Sequence, residues 1–112
     1  MAILSGDYTN LNYEEMAAAI GLKPKHMPML LASFVEEAGS AIEQVQNAIT
    51  SNDFTALAAQ AHAIKGSAGN LRLNELYEMT KDMELSAKAN DTSFDYQGHL
   101  DAVKCLMDTI TL

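Results

Sequence analysis

His62, Lys65, Gly66 and Gly69 are the residues whose types and spacing can do chemistry together. An imidazole ordinarily titrates near pH ~6.5 and is about the best neutral nitrogen nucleophile around neutral pH. On a helix, residues three apart are neighbours, so the Lys65 ammonium stands one turn from the His62 ring. Such a pair can take a phosphoryl group. The nitrogen attacks phosphorus in line while the ammonium meets the equatorial oxygens. Phosphoryl transfer asks little more of a protein than position and charge.

The element that must position this pair is a helix. Apolar residues recur at Phe54, Leu57, Ala58, Ala61, Ile64, Ala68 and Leu71, which is helical spacing and defines one buried stripe. His62 falls to the side of that stripe, near its solvent edge. Its helical neighbours are Ala58, Ala59, Lys65, Gly66 and Gly69, all but the lysine small. A glycine inside an exposed helix costs roughly 1 kcal/mol against alanine, so two of them need a reason. Helical side chains lean toward the N-terminus, and anything larger than hydrogen at Gly66 is expected to lean over His62. Gly66 therefore reads as a cleared approach for another molecule's surface. Close helix packing or a kink is the alternative reading of either glycine.

The run His62-Ala63-Ile64-Lys65-Gly66-Ser67-Ala68-Gly69-Asn70-Leu71 resembles the phosphorylation-site motif of histidine-containing phosphotransfer (HPt) domains, roughly H-x-[LI]-K-G-S-[SA]-x-x-[LI]-G. The departure is at the last position, where Arg72 replaces glycine; it affects the helix end rather than the His62–Lys65–Gly66 arrangement. The resemblance covers about residues 28 to 112 and implies a four-helix bundle. It implies that His62 accepts a phosphoryl group from an aspartate of a receiver domain, with Lys65 stabilising the phosphoryl charge. The receiver would also supply Mg²⁺, so no cofactor of the chain's own is expected. Ala58, Ala59, Gly66 and Gly69 would form the low rim over which the partner's pocket closes. The resemblance also places an amide or carboxylate 22 residues beyond the histidine, on the antiparallel neighbouring helix, to orient the ring. Here that residue is Glu84, which otherwise reads as a solvated helix residue. A carboxylate there favours imidazolium but stabilises the cationic phosphoimidazole once formed. Lys88, four residues on, adds positive charge near the same mouth.

Length and composition suit such a module. A chain of 112 residues makes one domain with one modest core. Hydrophobic content of 48%, with few aromatics, no tryptophan and two prolines, suits an all-α protein. A single cysteine, Cys105, allows no internal disulfide and points to a reducing, cytoplasmic setting. Met1 to Asp7 lack the positive flank and long apolar core of a signal peptide. No apolar run is long enough to span a membrane. A net charge of -8 argues against nucleic acid as a partner. That charge is uneven: between Glu43 and Glu75 the only acid is Asp53, so the His62 region is locally neutral to positive. An anionic group or an acidic partner pocket can be accepted there, although a short core helix can lack acids by chance.

In chain order, Asn10 to Ile20 carries a short helical pattern with Asn12 as N-cap, Leu11, Met16, Ala19 and Ile20 placed to pack, and Gly21 at its end. Pro24 and Pro28 mark a connection. From about Pro28 to Ile49, Leu30, Leu31, Phe34, Val35, Ala38, Ala41, Ile42, Val45 and Ile49 define a long amphipathic helix. Ser51-Asn52-Asp53 supplies turn and N-cap residues for the His62 helix. That helix stops near Arg72. Leu73, Leu76, Tyr77, Thr80, Met83 and Ala87 outline the next, and Tyr96, Leu100, Val103, Leu106, Met107 and Ile110 the last. Four long helices joined by short polar turns predict an antiparallel up-down four-helix bundle (28–112). A short extra N-terminal helix and its connection (1–27) cap it as part of one domain.

Other chemistries find little support. Gly66-Ser67-Ala68-Gly69 lies inside a helical pattern and lacks the lysine of a phosphate-binding loop, so the chain carries no recognisable ATP site. His26, His62 and His99 share no metal-ligand spacing, and no metal is expected. His26 and His99 read as ordinary surface or turn residues. The expectation is a monomeric phosphorelay intermediate working between receiver domains and a hybrid sensor histidine kinase. Its alternatives are the phosphoacceptor domain of a larger histidine kinase, and a helical adaptor that docks on the same face without phosphate.

Overall fold

A computed structural model describes residues 8, 9 and 11–110. The stretch Met1 to Asp7, read above for a signal peptide, and Asn10 lie outside the described residues. The regular structure of the described residues is all helical: α1 spans Tyr13–Ala19, α2 Met27–Ser51, α3 Phe54–Asn70, α4 Asn74–Lys88 and α5 Tyr96–Asp108, with a 3₁₀ turn at Pro24–His26 before α2. Helix α3 packs against α2 and α4, and α5 packs against the same two, so α2 to α5 form an antiparallel four-helix bundle.

Local chemistry sets the helix boundaries. Asn12, Asp53 and Asp95 each accept a hydrogen bond from a backbone N–H three residues on, at Glu15, Ala56 and Gly98, and so begin α1, α3 and α5. The first four helices end alike. One residue takes a left-handed conformation, Gly21 (φ 73°), Asn52 (φ 55°), Arg72 (φ 60°) and Asn90 (φ 53°) in turn. The N–H of the following residue then returns to a carbonyl five residues back, at 2.8–3.0 Å, as in Leu22 to Ala17 or Leu73 to Ala68. This double closure satisfies carbonyls the helix end would leave bare. Arg72 is the one of the four that is neither glycine nor asparagine, so the departure from the motif leaves the helix end intact and strains one residue.

The expected apolar stripes form the core, with Leu31, Leu57, Leu76, Met83, Leu100 and Val103 fully buried. Four residues in three places differ from expectation. In α1 Ala17 is buried while Ala19 is exposed, because the helix starts at Tyr13 and is too short to bury both faces. His99 is not a surface or turn residue. It lies in the first turn of α5, 2% exposed, with Nδ1 3.2 Å from the Asp95 carbonyl and its ring 4.4 Å from that of Phe94. Phe94, Tyr96 and Phe54 continue that aromatic cluster across one end of the bundle. At the other end Tyr8, outside every predicted element, is buried: its backbone N–H donates to Thr109 and its hydroxyl to Glu75, while accepting from the N–H of Leu76. None of the described helices is long and apolar enough to cross a membrane.

Candidate functional site

Helices α3 and α4 are joined by the short turn at Leu71–Leu73, so they run back along each other in a fixed antiparallel register. In that register His62, midway along α3, faces Glu84 near the end of α4. The His62 side chain is 64% exposed and that of Glu84 only 2%. Glu84 is therefore not a solvated residue of its helix. Its carboxylate is drawn inward beneath the imidazole.

Three groups converge on that carboxylate. His62 Nδ1 lies 2.8 Å from Oε2, Lys65 Nζ 2.6 Å from Oε1, and Lys88 Nζ 3.0 Å from Oε2. Burial pushes the Glu84 carboxyl up, but the ammonium groups of Lys65 and Lys88 and the hydrogen bond from His62 outweigh it and hold it down at about 2. An ionised carboxylate only accepts hydrogen bonds, so Nδ1 must carry the proton. The neutral ring then has its lone pair on Nε2, the nitrogen turned away from Glu84.

The imidazole stands at the edge of an open cleft of about 550 Å³ between α3 and α4. Its walls are Phe54, Thr55, Ala58, Ala59 and His62 on one side and Glu84, Ala87, Lys88 and Asn90 on the other. Ala58, expected both in the core stripe and at the rim, is buried at the cleft floor, and Ala59 is exposed. Thr55, Ala87 and Asn90 were not foreseen as site residues. The antiparallel register supplies the missing signal: once residue 62 faces 84, position 58 must face 88, and the start of α3 must face the end of α4.

The two glycines part company. A Cβ on Gly66 meets nothing within 4 Å, so alanine there would not crowd His62 as expected; the space beside the ring is open to an incoming molecule. A Cβ on Gly69 comes within 3.2 Å of the Tyr77 ring on α4. Gly69 thus has a packing reason for being glycine, and Tyr77, expected in the core stripe, lies half-buried over it. Lys65, expected to face a phosphoryl group, is instead engaged with Glu84. Among the described residues no group of three or more His, Cys, Asp or Glu side chains could hold a metal ion.

Residues 29–109 match the family model of the Hpt domain. No curated protein and no solved structure matches the chain.

Proposed function

The chain belongs to the Hpt domain family, a family of histidine phosphotransfer modules of phosphorelays, and from that membership we propose that it carries a phosphoryl group on His62 between receiver domains. The observation that supports this most is the His62–Glu84 pair: an imidazole largely in solvent whose inner nitrogen is held at 2.8 Å by a buried carboxylate. The outer nitrogen, Nε2, is the nucleophile. It attacks the phosphorus of an aspartyl phosphate on the partner, the Nε2–P bond forms as the P–O bond breaks, and the partner's carboxylate leaves. The Nδ1 proton stays in place, so the ring becomes a cation facing the Glu84 anion.

The charges of the cluster suit that product. Before transfer, Lys65 and Lys88 outnumber Glu84 by one positive charge. A dianionic phosphoryl group on a cationic ring adds one negative charge and leaves the cluster neutral. The reverse reaction passes the group on, and neither direction needs a nucleotide site on this chain. Mg²⁺ comes with the receiver. Ala59 and Gly66 form the low rim against which that receiver seats, with Ala58 at the cleft floor beneath it; the domain works as the bundle of α2 to α5, capped by α1 and its connection to α2.

The test is transfer of labelled phosphate from a panel of phosphorylated receiver domains to the native chain and to His62→Gln. Acid-labile, base-stable label on the native chain alone is the expected result. Equal labelling of His62→Gln, or none on the folded native chain from any receiver, contradicts it. Partner binding without label would favour a phosphate-independent adaptor.

A further inference from the structure

The two lysines of the site are not equivalent, and we infer that Lys88 is the cation that follows the phosphoryl group, whereas Lys65 is the positioning residue that fixes Glu84. The inference rests on His62 being the phosphoacceptor. Three observations separate the lysines. The Lys65 side chain is 22% exposed and pairs with Oε1, the Glu84 oxygen that His62 does not use; this buried oxygen accepts no hydrogen bond and has the Lys65 ammonium as its counter-charge. The Lys88 side chain is 62% exposed and shares Oε2 with His62 Nδ1, which brings its ammonium close to the ring. Lys88 also lines the cleft beside His62, and Lys65 does not.

These differences have energetic consequences. Withdrawing Lys65 would leave a buried carboxylate oxygen without its counter-charge, which is costly. Lys88 can leave Oε2 cheaply: its ammonium is already mostly in water, and His62 still donates to that oxygen. A phosphoryl group on Nε2 places new negative charge at the cleft mouth, within the sweep of the Lys88 stem. The Lys65 ammonium is therefore the static member and Lys88 the mobile one. Lys65→Met should loosen Glu84 and with it the Nδ1–H tautomer. Lys88→Met should leave the tautomer alone and remove charge stabilisation at phosphorus.

A small donor isolates this site from any partner. With phosphoramidate, the Nε2 lone pair attacks phosphorus, the P–N bond of the donor breaks, and ammonia leaves; no other reactant is needed. The measurements are the labelling rate of the native chain, Lys65→Met, Lys88→Met and Lys88→Arg, and the His62 tautomer of each from ¹⁵N NMR of the ring. Thermal unfolding checks that each variant is folded. Expected are native-like tautomer with labelling slowed about tenfold in Lys88→Met, recovery to within about threefold in Lys88→Arg, and a shifted tautomer in Lys65→Met. Native-rate labelling of Lys88→Met overturns the inference. So does a tautomer shift in Lys88→Met, or slowing in Lys65→Met that exceeds that of Lys88→Met with its tautomer unchanged. A native chain that takes no label, or a His62→Gln variant that takes as much, instead overturns the phosphoacceptor reading beneath it.

Discussion

With its carboxyl held down at about 2, Glu84 stays an anion throughout the range in which histidines titrate. That permanence keeps the Nδ1 proton of His62 in place and Nε2 available, so in the proposed transfer one buried residue governs which nitrogen attacks. It also ties the site to stability. A carboxyl that titrates at 4.5 in the unfolded chain and about 2 in the folded one binds its proton more readily when unfolded. Its stabilising contribution is fully present above pH 4.5 and is lost as pH falls toward 2. The size is on the order of 3 kcal/mol. Urea unfolding from pH 7 down to about 2.5 should therefore show a steeper acid loss for the native chain than for Glu84→Gln. Parallel acid limbs would show that Glu84 carries no such linkage. Sequence alone could name Glu84 only through the motif's spacing. Whether a glutamate near the end of a helix is solvated or drawn under a neighbour depends on helix register, which no local pattern encodes. His99 was missed for a similar reason: beside Gly98 it looks like a turn, but the Asp95 cap places it inside α5, against Phe94.

The two glycines of the helix that carries His62 stand in different surroundings, and their effects are separable. Gly66→Ala enters open space within a helix, so it should stabilise the fold by about 0.5–1 kcal/mol. Gly69→Ala gains the same propensity but must displace the Tyr77 ring, so its net gain should be smaller or absent. Thermal unfolding of the pair checks the order, and a Gly69→Ala variant as stable as Gly66→Ala would contradict it. Function should invert the ranking of interest: Gly66→Ala should label normally from phosphoramidate yet accept phosphate more slowly from a receiver, whose approach it obstructs. Arg72 belongs to the same scale. Its left-handed φ of 60° costs roughly 1 kcal/mol or more for a residue with a Cβ. Arg72→Gly should recover up to about 1 kcal/mol without altering phosphotransfer, whereas a destabilised Arg72→Gly would mean that the arginine side chain contributes more than its backbone costs. The helices themselves were legible because amphipathic periodicity and polar breaks mark them. Register between helices was not, since it is set by how two long surfaces mesh.

At the scale of the whole molecule, the bundle is a frame that holds one imidazole, one carboxylate and two ammonium groups across a single helix pair. The far end is closed by α1 and by Tyr8, which ties α4 and α5 together through Glu75, Leu76 and Thr109. Tyr8 lay outside every periodic segment, and a single residue docking by hydrogen bonds leaves no pattern to read. The surface around His62 is an open cleft with low walls, which suits a protein whose reactive group must be reached from outside. A carrier must both gain and release its cargo, and that is the most direct thing to measure. The native chain is loaded from a labelled, phosphorylated receiver, separated from it, and presented to a second, unphosphorylated receiver with Mg²⁺; His62→Gln is treated in parallel. Label should move onto the native chain and then onward to the second receiver, and His62→Gln should block the first step. Label that reaches the second receiver through His62→Gln, or that stays on the native chain with every receiver tried, would contradict a phosphoryl carrier acting through His62.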